Sequence, residues 1–190
     1  MEQLKKRIIS DAKIKSGNII KVDGFINHQI DISLMNEIGK EFKALFEGEK
    51  ITKVITIEAS GIAVACMTAL HFDVPVVFAK KSESKNIDGE VYKTTVTSYT
   101  RGRDYTVILE KKHLTSEDRV LIVDDILATG KAQNGLLDIS SQAGAQVAGI
   151  GVVIEKGFQG GGDKLRGEGY NVQSLAIIDS MENETVVFRD

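Results

Sequence analysis

The chain has 190 residues, 42% of them hydrophobic, with a single cysteine, a single proline and no tryptophan. Such a length suits one domain that buries its core without covalent staples, so a disulfide scaffold is excluded, and no apolar run approaches the ~20 residues that span a bilayer. A net charge of −3, from 24 basic and 27 acidic residues, argues against a nucleic-acid footprint spread over the surface.

Met1 to Asp11 is dense in charge and has no signal-like character. With a lone cysteine that fits a reducing compartment, a soluble cytoplasmic chain is expected. Cys66 stands in Ala63-Val64-Ala65-Cys66-Met67, a context that favours a small buried hydrophobe over a reactive thiol.

In chain order, Leu4, Ile8, Ile9 and Ala12 recur near helical spacing and predict an amphipathic helix over Glu2 to Lys13. Asn18 to Asp31 mixes apolar and amide side chains and reads as irregular. A second helix is expected from Ser33 to Phe46, with Leu34, Ile38, Phe42 and Leu45 on one face and Ser33 and Glu37 near its start.

Lys53 to Ile57 predicts a buried strand, followed by Glu58-Ala59-Ser60-Gly61-Ile62 and a helix over Ala63 to Phe72. A loop of small residues opening a helix is a potential anion site, though such loops also serve as plain connectors. Pro75 introduces a short strand, Val76 to Ala79. Next comes an insert with eight basic and five acidic residues between Lys80 and Lys112, +3 locally against −6 for the remainder. Its β-rich arms, Tyr92 to Tyr99 and Tyr105 to Leu109, flank the turn Thr100 to Asp104. Alone this reads as a solvated hairpin; between two strands of an anion-binding sheet it reads as a lid.

Val120 to Val123 is apolar at every position and mostly β-branched, the pattern of a strand buried on both faces of a parallel sheet. Asp124 and Asp125 follow at its carboxyl end, where open α/β sheets hold ligands. Two adjacent carboxylates repel unless something accepts them, and sugar hydroxyls or a metal-bound ligand would do so. The turn Ala128-Thr129-Gly130-Lys131-Ala132 is small enough for backbone N–H groups to approach a phosphate, and it opens the helix predicted over Gln133 to Ala143. Helix capping is the competing use of these residues, but capping needs one acidic residue and not a pair. The stretch is not a Walker A loop, because Asp125 replaces the first glycine and Ala132 the metal-binding hydroxyl.

Gln146 to Glu155 predicts a further apolar strand, ending in Glu155-Lys156-Gly157-Phe158-Gln159-Gly160-Gly161-Gly162. These glycines argue against a tidy joint between strand and helix. An ammonium and a phenyl ring at a strand's carboxyl end suit a flat, oxygen-bearing ring; the alternative leaves Lys156 in solvent and Phe158 in the core. Ser174 to Ile178 and Thr185 to Phe188 predict two final strands. Strands alternating with helices give an α/β fold, a mostly parallel sheet flanked by helices, with the strand-end loops meeting at one crevice.

Val120 to Ala132 resembles the phosphoribosyl-diphosphate (PRPP) signature of the type I phosphoribosyltransferases, and Asn18 to Asp31, Glu58 to Ile62 and Glu155 to Gly162 are similar to the xanthine branch of that family. Ile20 stands where the family usually has Leu. The resemblance implies one domain over 1–190, with a small hood from the N- and C-terminal segments, to which residues 1–35 contribute, and a flexible hairpin lid at 80–112. It implies purine salvage: transfer of phosphoribose from PRPP to N9 of xanthine, with release of pyrophosphate.

On the same resemblance, Asp124 and Asp125 hold the ribose hydroxyls, Ala128, Thr129, Gly130, Lys131 and Ala132 the 5′-phosphate, and Glu58, Ala59, Ser60, Gly61 and Lys81 the pyrophosphate end. Ile20, Asn27, Lys156 and Phe158 then contact the purine. Mg²⁺ is implied as a companion of PRPP with no direct protein ligand, along with a homodimer and no nucleic-acid or membrane partner. Hypoxanthine-guanine members carry an aspartate where this chain has Ala128, which suits an acidic base such as xanthine. Adenine members lack it too, so an adenine enzyme is the nearer alternative, and a PRPP-sensing regulator the remoter one.

Overall fold

The computed structural model describes residues 1–15, 17–82, 90–97, 104–182 and 185–189; the predicted hairpin tip, 100–103, lies outside them. The chain runs α1 (Glu2–Asp11), β1 (Lys13–Lys15), β2 (Ile19–Lys21), a π-helical turn (Asp23–Asn27), α2 (Ile32–Leu45), β3 (Lys53–Ile57), α3 (Gly61–Phe72) and β4 (Val76–Ser82). It continues with β5 (Val91–Thr97), β6 (Asp104–Glu110), β7 (Arg119–Leu127), α4 (Lys131–Ala143), β8 (Gln146–Lys156), α5 (Gly161–Gly167), β9 (Val172–Glu182) and β10 (Thr185–Phe188).

The main sheet has the order β10-β9-β8-β7-β3-β4-β6-β5. Its centre, β9-β8-β7-β3-β4, is parallel throughout, while β10 and the β6-β5 hairpin are antiparallel additions at the two edges. Val120 to Val123 explain why β7 lies in the middle: all four are wholly buried, with Leu121 and Val123 packing into a core shared with α2 and α3, and Val120 and Ile122 into a second core shared with α4. Each such side chain contributes about 1.5–3 kcal/mol on leaving water. A two-sided apolar strand is stable only with helices on both faces.

From β3 the chain crosses through α3 to β4, and from β7 it crosses through α4 to β8 on the other side. The sheet order therefore reverses between β3 and β7, and the loops that leave their carboxyl ends flank one crevice.

Four local expectations change. Asn18 to Asp31 is ordered, with β2 pairing antiparallel to β1 (Ile14 opposite Ile20) before the π-helical turn. The α2 cap is Asp31, whose Oδ1 accepts from Leu34 N at 3.1 Å, a stronger capping carboxylate than the Ser33 and Glu37 pair one turn on. The glycine-rich stretch does lead into a helix, α5. Finally, Cys66 is exposed: α3 buries Val64, Ala65, Thr68 and Ala69 against the core and turns Cys66 and Leu70 outward, Leu70 being 65% exposed.

The two ends of the chain meet. The Met1 ammonium donates to Leu175 O at 2.7 Å, Lys5 Nζ stands 5.6 Å from the Phe188 ring centroid, and Leu4 and Ile8 of α1 are buried.

Candidate active site

A cavity of about 440 Å³ opens at the sheet reversal. β7 does not stop before its acidic pair but runs on to Leu127, so Asp124 and Asp125 are strand residues, 4% and 7% exposed. Asp124 is fixed from two sides: Oδ1 accepts the Asp125 N–H at 3.0 Å and Oδ2 accepts Gln133 Nε2 at 2.7 Å. Burial, and next to it the charge of Asp125, hold the Asp124 carboxyl well above the usual carboxylate range. A buried, partly frustrated carboxylate is a functional signature more than a structural one.

The turn that follows is shaped by glycine. Gly130 caps α4 at φ +79°, a left-handed backbone that glycine adopts without penalty. Gly161, at the start of α5, donates its N–H to Ala128 O at 3.2 Å, and a Cβ there would overlap the Ala128 carbonyl and the Gly130 amide. The glycines that argued against a tidy joint between strand and helix thus let α5 press against the turn. Behind it the Glu155 carboxylate, wholly buried, takes Arg166 on both oxygens, at 3.0 and 2.6 Å, and Ser174 Oγ at 2.5 Å. Gly162 is bare because a side chain would collide with Glu155.

On the β3 side the peptide between Glu58 and Ala59 is cis. Glu58 Oε1 accepts the Lys81 N–H at 2.6 Å, which ties this loop to the end of β4. Lys81 Nζ lies 5.1 Å from the Tyr105 ring centroid, within cation–π range. The Tyr105 phenol is pushed up by burial and then by the Asp124 charge. At the far wall Lys156, the last residue of β8, donates Nζ to Asn18 O at 2.8 Å. Burial alone pushes its ammonium below the usual lysine range.

Of the residues singled out from sequence, Asp124, Asp125, Lys81, Ala128 to Ala132, Glu58, Ser60, Ile20 and Lys156 line this one cavity. Ala59 and Gly61 belong to the same loop without lining it; Gly61 is where a Cβ would overlap the Thr56 hydroxyl and crowd Asp124. Asn27 is exposed at the end of the π-helical turn, and Phe158 is 37% exposed; neither lines the cavity. Sequence reasoning missed Gln133, Tyr105, Val96, Ile126 and the Gly17 to Ile19 tip, which do. Only Gln133 carried a signal, as an amide one turn into the helix behind an acidic pair.

Among the described residues no group of three or more His, Cys, Asp or Glu side chains is placed to hold a metal ion. The cavity therefore offers two neighbouring carboxylates, a small turn at the head of α4, a second small loop with a lysine beside it, and a separate cation at the far wall.

This arrangement has close counterparts. Residues 28–187 match the model of the phosphoribosyl transferase domain. The chain is 59% identical to the xanthine phosphoribosyltransferase of Lachnoclostridium phytofermentans, over all of this chain and 98% of that one. It is 54% identical to the same-named protein of Bifidobacterium longum, over the whole of both. Among solved structures it is similar to adenine phosphoribosyltransferase from Thermoanaerobacter pseudethanolicus (TM-score 0.76, 23% identity, 93% of this chain and 98% of that one). The Giardia lamblia enzyme in complex with 9-deazaadenine is similar as well (TM-score 0.78, 22% identity, 92% and 96%). The structural likeness supports the fold, and the domain match and the near relatives carry the assignment: with its acidic strand end, the small turn that follows it and its reversed parallel sheet, the chain belongs to the phosphoribosyltransferase family.

Proposed function

We propose that the chain is a xanthine phosphoribosyltransferase of purine salvage, converting xanthine and PRPP to xanthosine 5′-monophosphate and pyrophosphate. The observation that carries this reading is Lys156: a half-buried cation facing the same cavity as the acidic pair and the phosphate turn, with Ala128 in place of a carboxylate near the base. A cation suits the oxo groups and the partly anionic ring of xanthine, whereas adenine presents an amino group. The names of the near relatives agree with it.

In this mechanism N9 of the base bonds to the anomeric carbon as the bond from that carbon to pyrophosphate breaks, and the N9 proton leaves to solvent. Asp124 and Asp125 accept hydrogen bonds from the ribose 2′- and 3′-hydroxyls and face the positive charge that develops on the ring. Backbone N–H groups of Ala128 to Ala132, with the Thr129 hydroxyl and the N-terminus of α4, hold the 5′-phosphate; Lys131 adds a cation there. Backbone groups of Ala59, Ser60 and Gly61, with Lys81, hold the departing pyrophosphate. Glu58 keeps that loop and Lys81 together. Ile20 forms the apolar wall for the purine, and Asn27 and Phe158 join it when the hood and the turn at 157–159 close.

Mg²⁺ fits this donor set as a companion of the substrate. The cavity offers too few protein ligands for a dedicated cage but suits an ion that keeps its waters and takes its remaining oxygens from the diphosphate. Bound there, it would neutralise the leaving group. One domain with a hood from residues 1–35 and a lid over 80–112, acting as a cytoplasmic homodimer, completes the proposal. The outward face of α3, with Leu70 65% exposed, offers apolar surface for a second copy.

The test is pyrophosphate release from PRPP and Mg²⁺ with xanthine, guanine, hypoxanthine and adenine in turn. Xanthine should give the highest kcat/KM, and no release with any base would overturn the enzyme reading. Lys156→Ala should abolish xanthine turnover while PRPP binding persists; unchanged xanthine kinetics would remove Lys156 from the base site.

A further inference from the structure

Lys156 is a long, flexible side chain with a strongly hydrated head, yet it has to present that head at a fixed place if it is to read one purine. What holds it is not a side chain but the backbone carbonyl of Asn18, 2.8 Å from Nζ and 138 residues away in sequence. That carbonyl belongs to the tip of the β1-β2 hairpin, where Lys15 pairs with Ile19. The tip bends through two left-handed residues, Gly17 at φ +81° and Asn18 at φ +61°. Nothing lies within 4 Å of a Cβ built on Gly17, so the glycine is there for its backbone angle and not for clearance. Asn18 is one of only two non-glycine residues with positive φ among those described, the other being Asp73. Asparagine tolerates that region better than almost any other side chain, and a β-branched residue tolerates it poorly.

The tip also forms a stretch of the cavity wall, with Ile20 next along the strand. We infer that Asn18 is a positioning residue for base recognition: its left-handed backbone aims a carbonyl at Lys156, fixes the ammonium at the cavity wall and leaves two of its N–H groups for the purine. The contact holds the charged head in place as it loses water on burial. It also ties the hood to the strand end, so the Ile20 wall and the Lys156 cation move as one surface against the base. The inference rests on the proposed role of Lys156 as a base contact.

Because the contact is made by the main chain, it has an unusual genetic signature. Asn18→Gly keeps the backbone angle and should keep both KM values within about 2-fold of the parent, since glycine enters the left-handed region freely. Asn18→Val disfavours that angle and should raise the KM for xanthine roughly 10-fold, the size of one lost hydrogen bond to a charged group, while the KM for PRPP stays within about 2-fold. Purified full-length variants would be assayed with PRPP, Mg²⁺ and xanthine after a thermal melt confirms folding. Where Asn18→Val does not fold, Asn18→Ala makes the same comparison with a smaller penalty.

Equal losses in the Gly and Val variants would assign the effect to the Asn18 side chain and overturn the inference. So would unchanged xanthine KM in Val and Ala, or a rise in the PRPP KM to match that for xanthine. Lys156→Ala assayed alongside separates the two levels. If it leaves xanthine use intact, the base-site reading itself falls; if it abolishes xanthine use and Asn18→Val does not raise the KM, only the role of Asn18 does.

Discussion

In the proposed reading, Asp124 serves function against stability. Its carboxylate is buried beside Asp125, and these two causes raise its pKa in the folded chain. The folded state therefore holds the Asp124 proton more tightly than the unfolded state does. Above the unfolded value of about 3.9 the ionised carboxylate costs stability, and the cost is relieved as pH falls through the raised folded value. Asparagine carries no charge at any pH. Asp124→Asn should accordingly melt at a higher temperature than the parent near neutral pH, with the gap closing on acidification. The same change should lower kcat/KM for PRPP by roughly 10- to 100-fold, because a hydrogen bond from a ribose hydroxyl to a charged acceptor is worth about 1.5–3 kcal/mol. Scanning calorimetry across pH and initial-rate kinetics would check the two halves; a lower melting temperature at neutral pH would show that Gln133 and the Asp125 N–H already compensate the buried charge. The acidic pair was legible in sequence because nothing else in the chain puts two carboxylates at the end of an apolar run. Gln133 was not, since glutamine in a helix is ordinarily a surface residue, and its burial follows from the carboxylate that α4 happens to cover.

At the scale of elements, the turn after β7 rests on a helix, α5, whose joint with β8 the sequence left untidy. Glycines break helices in isolation, so Gly160 to Gly162 argued against a tidy joint between strand and helix; in the fold Gly161 allows contact with Ala128, and Gly162 makes room for Glu155. What then holds α5 in place is Arg166, reaching back to Glu155 and lying within 3.4 Å of Ser174 Oγ. These partners lie 11 and 8 residues from Arg166, on β8 and β9, so no local pattern could pair them. Removing one partner of a buried ion pair leaves the other uncompensated, at roughly 3–5 kcal/mol. Arg166 is 30% exposed at its side chain, which places the expected loss toward about 3 kcal/mol, with a melting temperature lower by ~6–12 °C in a chain of this size. Arg166→Ala should show that drop, and the double replacement Glu155→Gln with Arg166→Met should recover much of it, since no charge is then stranded. A drop without recovery would assign the effect to lost packing of α5. Elements with a strong pattern of their own, such as β3 and α4, were legible almost to their ends for the opposite reason: each is specified by its own residues.

For the molecule as a whole, the sheet reversal between β3 and β7 explains why residues as far apart as Ile20, Lys81, Asp124 and Lys156 share one cavity. The alternation of strands and helices predicted that convergence, whereas the packing of α1 on β9 and β10 joins opposite ends of the chain and had no local pattern to announce it. This architecture makes a prediction about linkage. A ligand held at once by the loop after β3, the turn after β7 and Lys81 binds only the folded chain, because the unfolded chain scatters all three. Such a ligand stabilises by RT ln(1 + [L]/Kd), about 2.7 kcal/mol at a hundredfold excess over Kd, or ~5–11 °C in melting temperature for a chain of this length. PRPP with Mg²⁺ should produce that shift. Ribose 5-phosphate, which lacks the diphosphate, should engage only the turn and the acidic pair and shift it much less. Differential scanning fluorimetry over a titration of each ligand distinguishes the outcomes: equal shifts would mean that the β3 loop and Lys81 take no role in binding, so that the second half of the crevice belongs to something other than the diphosphate.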